Sequence, residues 1–279
     1  MDNPDLYKKS SDLRDDDHAQ LLDEFAPTFN WRVDGKDSVM DVGCAGGNVT
    51  TEIVLPRLPT TFSRLMGVDV NEKMIDYANK CYKIPKVSFS TLDIGGDVSE
   101  FRQKNDPFDH IITFFCLHLV PDQKRAVQNI YDLLETNGDC FLHILADFSG
   151  FDIYKAMYPR WSEYMVNIDN FISPYYHRID PVNMLKNHLK NAGFTQYTVV
   201  ERRRIVAYHN IQEFIGAFKP IIPFFKHIPL ERHSEFFDEF CKLAMEIRPD
   251  EGIQIEKFKA SQNVNIFVSY KFVIAYARK

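Results

Sequence analysis

Short apolar runs alternate with segments whose apolar residues recur at helical spacing, and this alternation constrains the fold more than any other feature of the chain. The runs lie at 38–42, 64–68 (RLMGV), 87–91, 108–115 (FDHIITFF) and 139–146 (DCFLHILA). Each has strand length and is rich in β-branched, aromatic or other apolar residues. Between them the pattern predicts a helix over 47–58 that stops near Pro56 and Pro59, a helix from an Asn71 cap to Tyr82, and a helix over 122–135. A further helix is expected at 17–29, with Leu21, Leu22 and Phe25 on one side. Strand–helix repetition of this kind builds an α/β fold, a parallel sheet with helices on both faces. After residue 146 the rhythm changes. Residues 150–177 are aromatic and irregular, a helix at 181–192 and a strand at 195–207 follow, and 210–248 read as interrupted helix. A last β run, 264–277, suits a hairpin.

Composition narrows the function classes. A chain of 279 residues with 45% hydrophobic content forms one large domain or a domain with insertions, not a disordered chain. The net charge is −6 and the only compact basic run is Arg202–Arg204, which argues against nucleic acid as a partner. Five cysteines, none in CxxC spacing, argue against a disulfide framework or a metal cluster and suit free thiols in a reducing compartment. The first residues carry no signal-peptide core, and no run approaches the ~20 apolar residues of a membrane span. A cytoplasmic protein without a stable membrane anchor is expected; nothing in the sequence speaks to its oligomeric state.

The chemistry points to the stretch DVGCAGGN, 41–48, between the first strand and the helix after it. The dinucleotide fingerprint GxGxxG needs glycine at 43, 45 and 48, and finds only Gly43. The methyltransferase loop DxGxGxG fits as Asp41, Gly43, Ala45 and Gly47, with alanine in the middle place. No GK[ST] follows, which excludes a P-loop. Asp69 ends the second strand, where a carboxylate can accept both hydroxyls of a ribose. Asp93 follows the third strand, placed for an adenine amino group with Ile94 packing the ring. Ligands of open parallel sheets lie beyond the carboxyl ends of strands, where all three acids fall. S-adenosylmethionine is the cofactor this joint pattern favours, with S-adenosylhomocysteine as product; NADH is the rival that Asp69 leaves open. Cys44, Val70 and Phe115 flank these groups and are counted with the cofactor side.

The sequence resembles the insect juvenile hormone acid methyltransferases almost end to end. The resemblance is carried by DLYKKS, LLDEFAPTFNWRVDG, DVGC, GVDVNEKMIDYANKCY, FSTLDI, FDHIITFFCLHLV, NIYDLL, GDCFL, DNFISP and VIAYARK. It implies a Rossmann-like class I methyltransferase sheet. It also implies transfer of a methyl group from S-adenosylmethionine to the carboxylate of farnesoic acid or juvenile hormone acid. Against the family pattern, Arg14 stands where a Gln is usual, Leu119 replaces the Trp of CLHW, and Ala45 replaces a loop glycine. The division this suggests is a cofactor-binding core with N-terminal helices over 1–146, a first lid insertion over 147–180, core again over 181–208, a second helical lid insertion over 209–262, and a last core strand over 263–279.

A carboxylic acid with a pKa near ~4–5 is already ionised at neutral pH, so the transfer needs no base. It needs donors that hold one oxygen and leave the other free. His118, after the fourth strand, and Arg14 are the candidates for that role. Cys116, between Phe115 and Leu117, reads as packing rather than as a nucleophile. On the substrate side are expected Leu119, Tyr7, Phe171, Ser173 and Trp161, within or facing an aromatic lid suited to a small hydrophobic acid. Two other readings stay open: a diverged relative acting on another fatty or terpenoid acid, and a non-catalytic protein that binds such an acid and the cofactor.

Overall fold

A computed structural model describes residues 12–248, 252–257 and 264–279. Strands β1 (Ser38–Val42), β2 (Arg64–Asp69), β3 (Val87–Thr91), β4 (Phe108–Phe114) and β5 (Leu134–Phe148) run parallel. Strand β8 (Val264–Arg278) lies antiparallel between β5 and β6 (Gln196–Tyr208). The order is β3-β2-β1-β4-β5-β8-β6, and the return of the last strand, antiparallel between β5 and β6, gives the class I methyltransferase sheet. On one face α4 (Gln123–Leu133) and α6 (Pro181–Ala192) cover Ile111, Leu142 and Ile144. On the other, Leu21 and Leu22 of α1 (Asp12–Phe25) meet Ile112, Phe114, Phe141 and Ile274. Helix starts follow their capping residues. Asn71 accepts from the Lys73 amide at 3.1 Å before α2 (Glu72–Cys81), and Asp122 from the Arg125 amide at 2.9 Å before α4.

Three expectations need correction. The segment after the glycine loop is a π-helical turn, Val49–Val54, followed by a 3₁₀ turn, Leu55–Arg57, not a regular α-helix. Its residues are mostly β-branched, the Thr51 hydroxyl bonds back to the Gly47 carbonyl at 2.8 Å, and Pro56 lacks an amide hydrogen. The first helix begins at Asp12 and yields to a 3₁₀ turn at Ala26, where Pro27 follows. The stretch expected to be helical through 262 contains a strand, β7 (Ile253–Lys257). It pairs with Val264–Val268, the part of β8 that extends beyond its partner β5, so that β8 acquires a second neighbour there. A short helix, α3 (Ser99–Lys104), was not foreseen.

Helices α5 (Ser149–Trp161), α7 (Ile211–Phe218) and α8 (His233–Glu246) gather into a separate cluster at the C-terminal side of the sheet. Phe148, Trp161, Phe214, Phe224, Phe236 and Phe240 are buried in it, and Ile266 and Val268 of β8 join it from below. The basic run on β6 is spent internally: Arg202 pairs with Glu24, Arg204 with Asp17, and Arg203 donates to Ser269 at 2.7 Å. Among the described residues no helix is long and apolar enough to cross a membrane, and no three acidic, His or Cys side chains cluster as a metal site would require.

Candidate active site

Glycines set the shape of the loop. Gly43 has φ +80°, and a Cβ there would lie 2.3 Å from Cys116 Cβ, so the loop can press against the residues after β4 only because that atom is missing. Ala45 takes φ +46° at the place where the motif has glycine, and its amide donates to Asp69 Oδ2 at 2.9 Å. Asp69 Oδ1 accepts from the Asn71 amide at 2.8 Å. This half-buried carboxylate thus joins the loop to the end of β2, and burial raises its pKa above the ordinary value. Val70 beside it is exposed. Asp93 is exposed and holds the Gly95 amide at 2.9 Å, while Ile94 is buried in the core beneath.

Asp41 and Cys44 sit one layer deeper. Asp41 is 1% exposed and takes the Thr50 hydroxyl at 2.6 Å; burial pushes its pKa up to about 7. Its carboxylate holds the π-helical turn beneath the loop. Cys44 is buried against Phe89 and Ile75, and burial raises both its thiol and that of Cys116, which leaves neither as a thiolate nucleophile.

The end of β4 makes the second wall. Phe115 has φ +46°, rare for a bulky side chain. It opens the 3₁₀ turn Leu117–Leu119, which carries His118 and Leu119. Burial lowers the His118 pKa to about 4, and its Nδ1 has no hydrogen-bond partner among the described residues. Helix α1 closes this wall from outside. Asn48 of the loop donates to Asp15 at 3.1 Å, and α1 packs on the turn 49–54. His18 of α1 is buried 5.3 Å from the Phe115 ring, and His143 of β5 lies 4.1 Å from the same ring. Neither histidine was singled out from the sequence. The available signal was a polar ring within an apolar strand, FLHIL, and one beside the few apolar positions of a largely acidic helix, DHAQLL.

Of the substrate-side residues, Phe171 ends a 3₁₀ turn, Ile168–Phe171, that packs against the turn bearing His118 and Leu119. The Ser173 hydroxyl is engaged by the Leu145 carbonyl at 2.7 Å, which ties this segment to β5. Trp161 is displaced from its expected role. It is fully buried against Phe236 within the second aromatic cluster, with its indole N–H on Glu239 at 2.9 Å, and so fills the core of that cluster. Arg14 lies in α1, but its side chain is outside the described residues, as is all of Tyr7.

The cradle fits an adenosyl-methionine group: a backbone stripped of Cβ atoms at the end of β1, an acceptor at the end of β2, and an apolar residue with an acid after β3. Over its whole length the chain is 35% identical to juvenile hormone acid O-methyltransferase of Drosophila melanogaster, covering 93% of that protein. The chain belongs to the juvenile hormone acid O-methyltransferase family. The Bombyx mori enzyme of the same name is 34% identical over the whole chain and 98% of its own length. Residues 39–138 match the methyltransferase domain model, which spans β1 to the start of β5 and so contains the loop, Asp69, Asp93 and His118. The Bacillus subtilis protein YcgJ superposes with a TM-score of 0.58 at 15% identity, over 92% of this chain and 97% of its own, and shares the fold. The aromatic cluster and α1 lie outside the matched domain.

Proposed function

We propose that the protein binds S-adenosylmethionine at the ends of β1–β4 and methylates the carboxylate of a hydrophobic acid of the farnesoic or juvenile hormone acid type. The observation that carries this is that the glycine loop, tied to Asp69 through the Ala45 amide, lies against Cys116 at the start of the turn bearing His118, in a chain similar over its whole length to juvenile hormone acid O-methyltransferases. Bound there, S-adenosylmethionine supplies an electrophilic methyl group on a sulfonium. Asp69 keeps acceptor capacity for a ribose, since each oxygen is used once and carries a further lone pair. His118 is neutral at pH 7 and can donate one N–H to a carboxylate without drawing its second oxygen away from the methyl group. Holding the two reactants in line supplies ~7 kcal/mol or more of the rate enhancement, so positioning is the main task. Apolar walls come from the turn at Phe171 and from the aromatic cluster above it. Five free thiols suit a reducing, cytoplasmic setting.

Isothermal titration distinguishes this from a dinucleotide enzyme. S-adenosylhomocysteine is expected to bind in the micromolar range or tighter and NADH not at all; the reverse pattern overturns the reading.

A further inference from the structure

We propose that His143 is a carboxylate-binding residue of this site: with His118 and His18 disposed around Phe115, its ring N–H holds one oxygen of the acid. This rests on the reading that the substrate is an acid. His143 lies opposite Phe114 in the β4–β5 register, at the strand ends where ligands of such sheets lie. Its side chain points to the α1 face, above Phe141 and against Phe272, whose ring is 4.7 Å away. Apart from His18, this layer is aromatic and apolar. Within it the His143 imidazole is 1% exposed, with neither ring nitrogen hydrogen-bonded among the described residues. Each unmet buried polar group costs ~1–3 kcal/mol, so retaining one at the mouth of a reaction site points to a ligand that satisfies it.

The surroundings define that ligand. His18 lies 5.5 Å away and Phe115 covers the imidazole at 4.1 Å, so the acid reaches it by turning that ring aside. The Phe115 backbone, left-handed and held by its amide on the His143 carbonyl at 2.9 Å, places the ring there. The His118 ring lies 6.2 Å from that of Phe115. A site where burial and two neighbouring imidazoles disfavour a positive charge on His143 suits a ligand that takes a hydrogen bond from its neutral ring. Burial first, then His18 and His118, hold His143 well below the ordinary imidazole value, so it acts as a neutral donor and leaves the second carboxylate oxygen nucleophilic.

The test uses the full chain saturated with S-adenosylhomocysteine and compares binding of farnesoic acid with that of farnesol, which has the same chain and no carboxylate. In His143→Phe the acid is expected to bind at least tenfold more weakly, with farnesol and S-adenosylhomocysteine unchanged. His143→Gln, which restores a donor, is expected to recover most of the loss. Unchanged acid binding in His143→Phe, or equal losses for acid and alcohol, overturns the proposal. If the parent binds the acid but transfers no methyl group to it, the enzymatic reading falls and this inference stands. If the parent methylates the acid and His143→Phe does so with the same KM, the inference falls alone.

Discussion

Single residues carry the cofactor and specificity claims. Asp69 accepts from Ala45 and Asn71 and offers its remaining lone pairs to a ribose. Asp69→Ala is expected to weaken S-adenosylhomocysteine binding by about 2–3 kcal/mol, and Asp69→Asn, which keeps one acceptor oxygen, by about half as much. Calorimetry on the three proteins checks this, and equal affinities would remove Asp69 from the site. Specificity is expected to turn on two positions where the chain departs from its family. Leu119 offers neither the stacking face nor the ring N–H of a tryptophan. The double change Arg14→Gln with Leu119→Trp should raise turnover of juvenile hormone acid more than the sum of the single changes, since both side chains are expected to face one pocket. Kinetics on the four proteins decide; a double change without effect contradicts the specificity account. The acids and the glycine loop were legible because their chemistry fixes their spacing along single strands and turns. His18 and His143 were not, because their significance arises only when α1 folds over β5, a contact between residues 125 apart that no local pattern encodes.

At the scale of elements, the N-terminal end of the sheet is held by a buried ionic bridge. His110 of β4 bonds Asp139 of β5 through Nδ1 at 2.6 Å and Asp37 through Nε2 at 2.9 Å. Tyr276 of β8 and the Asn30 amide also bond Asp139, and the Arg32 amide bonds Asp37. With a carboxylate on each nitrogen, both nitrogens donate and the ring is an imidazolium. Burial alone would lower its pKa, but Asp139 and then Asp37 outweigh burial and raise it. A raised histidine contributes stability fully below its unfolded value of about 6.5, and that stability is lost as pH rises through the higher folded value. The melting temperature is therefore expected to fall from pH 6.5 upward by an amount absent in His110→Gln. That variant should itself be about 3–5 kcal/mol less stable, because it strands two buried carboxylates. A parent melting curve flat over this range contradicts the charged bridge. The parallel strands were plain from their apolar runs, whereas β7 was not. IQIEK is short, follows a helix-rich stretch, and becomes a strand through pairing with the far end of β8.

Over the whole molecule, two bodies share one strand. The C-terminal half of β8 belongs to the core, and its N-terminal half, with α5, α7, α8 and β7, to the aromatic cluster. The register of β5 against β8 shifts between Leu145 and Asp147, where the core ends, and Arg248 bridges from the end of α8 to Asp147 and Asp152 at 2.9 and 2.7 Å. We expect this cluster to act as a lid, since a buried acid must enter. Amide exchange in α5, α7 and α8 should slow when S-adenosylhomocysteine and acid are both bound, and equal exchange with and without them contradicts a lid. The abundance of Phe announced such a cluster, but composition alone did not separate residues at its centre, such as Trp161, from those at its edge beside the turn bearing His118, such as Phe171. The most direct test of the central claim is methyl transfer from labelled S-adenosylmethionine to farnesoic acid, juvenile hormone acid and a series of medium to long fatty acids. A labelled methyl ester is expected from at least one of these acids, abolished in Asp69→Ala at cofactor concentrations near the parent's KM. Absence of any ester, with S-adenosylmethionine bound and the protein folded, would contradict that claim.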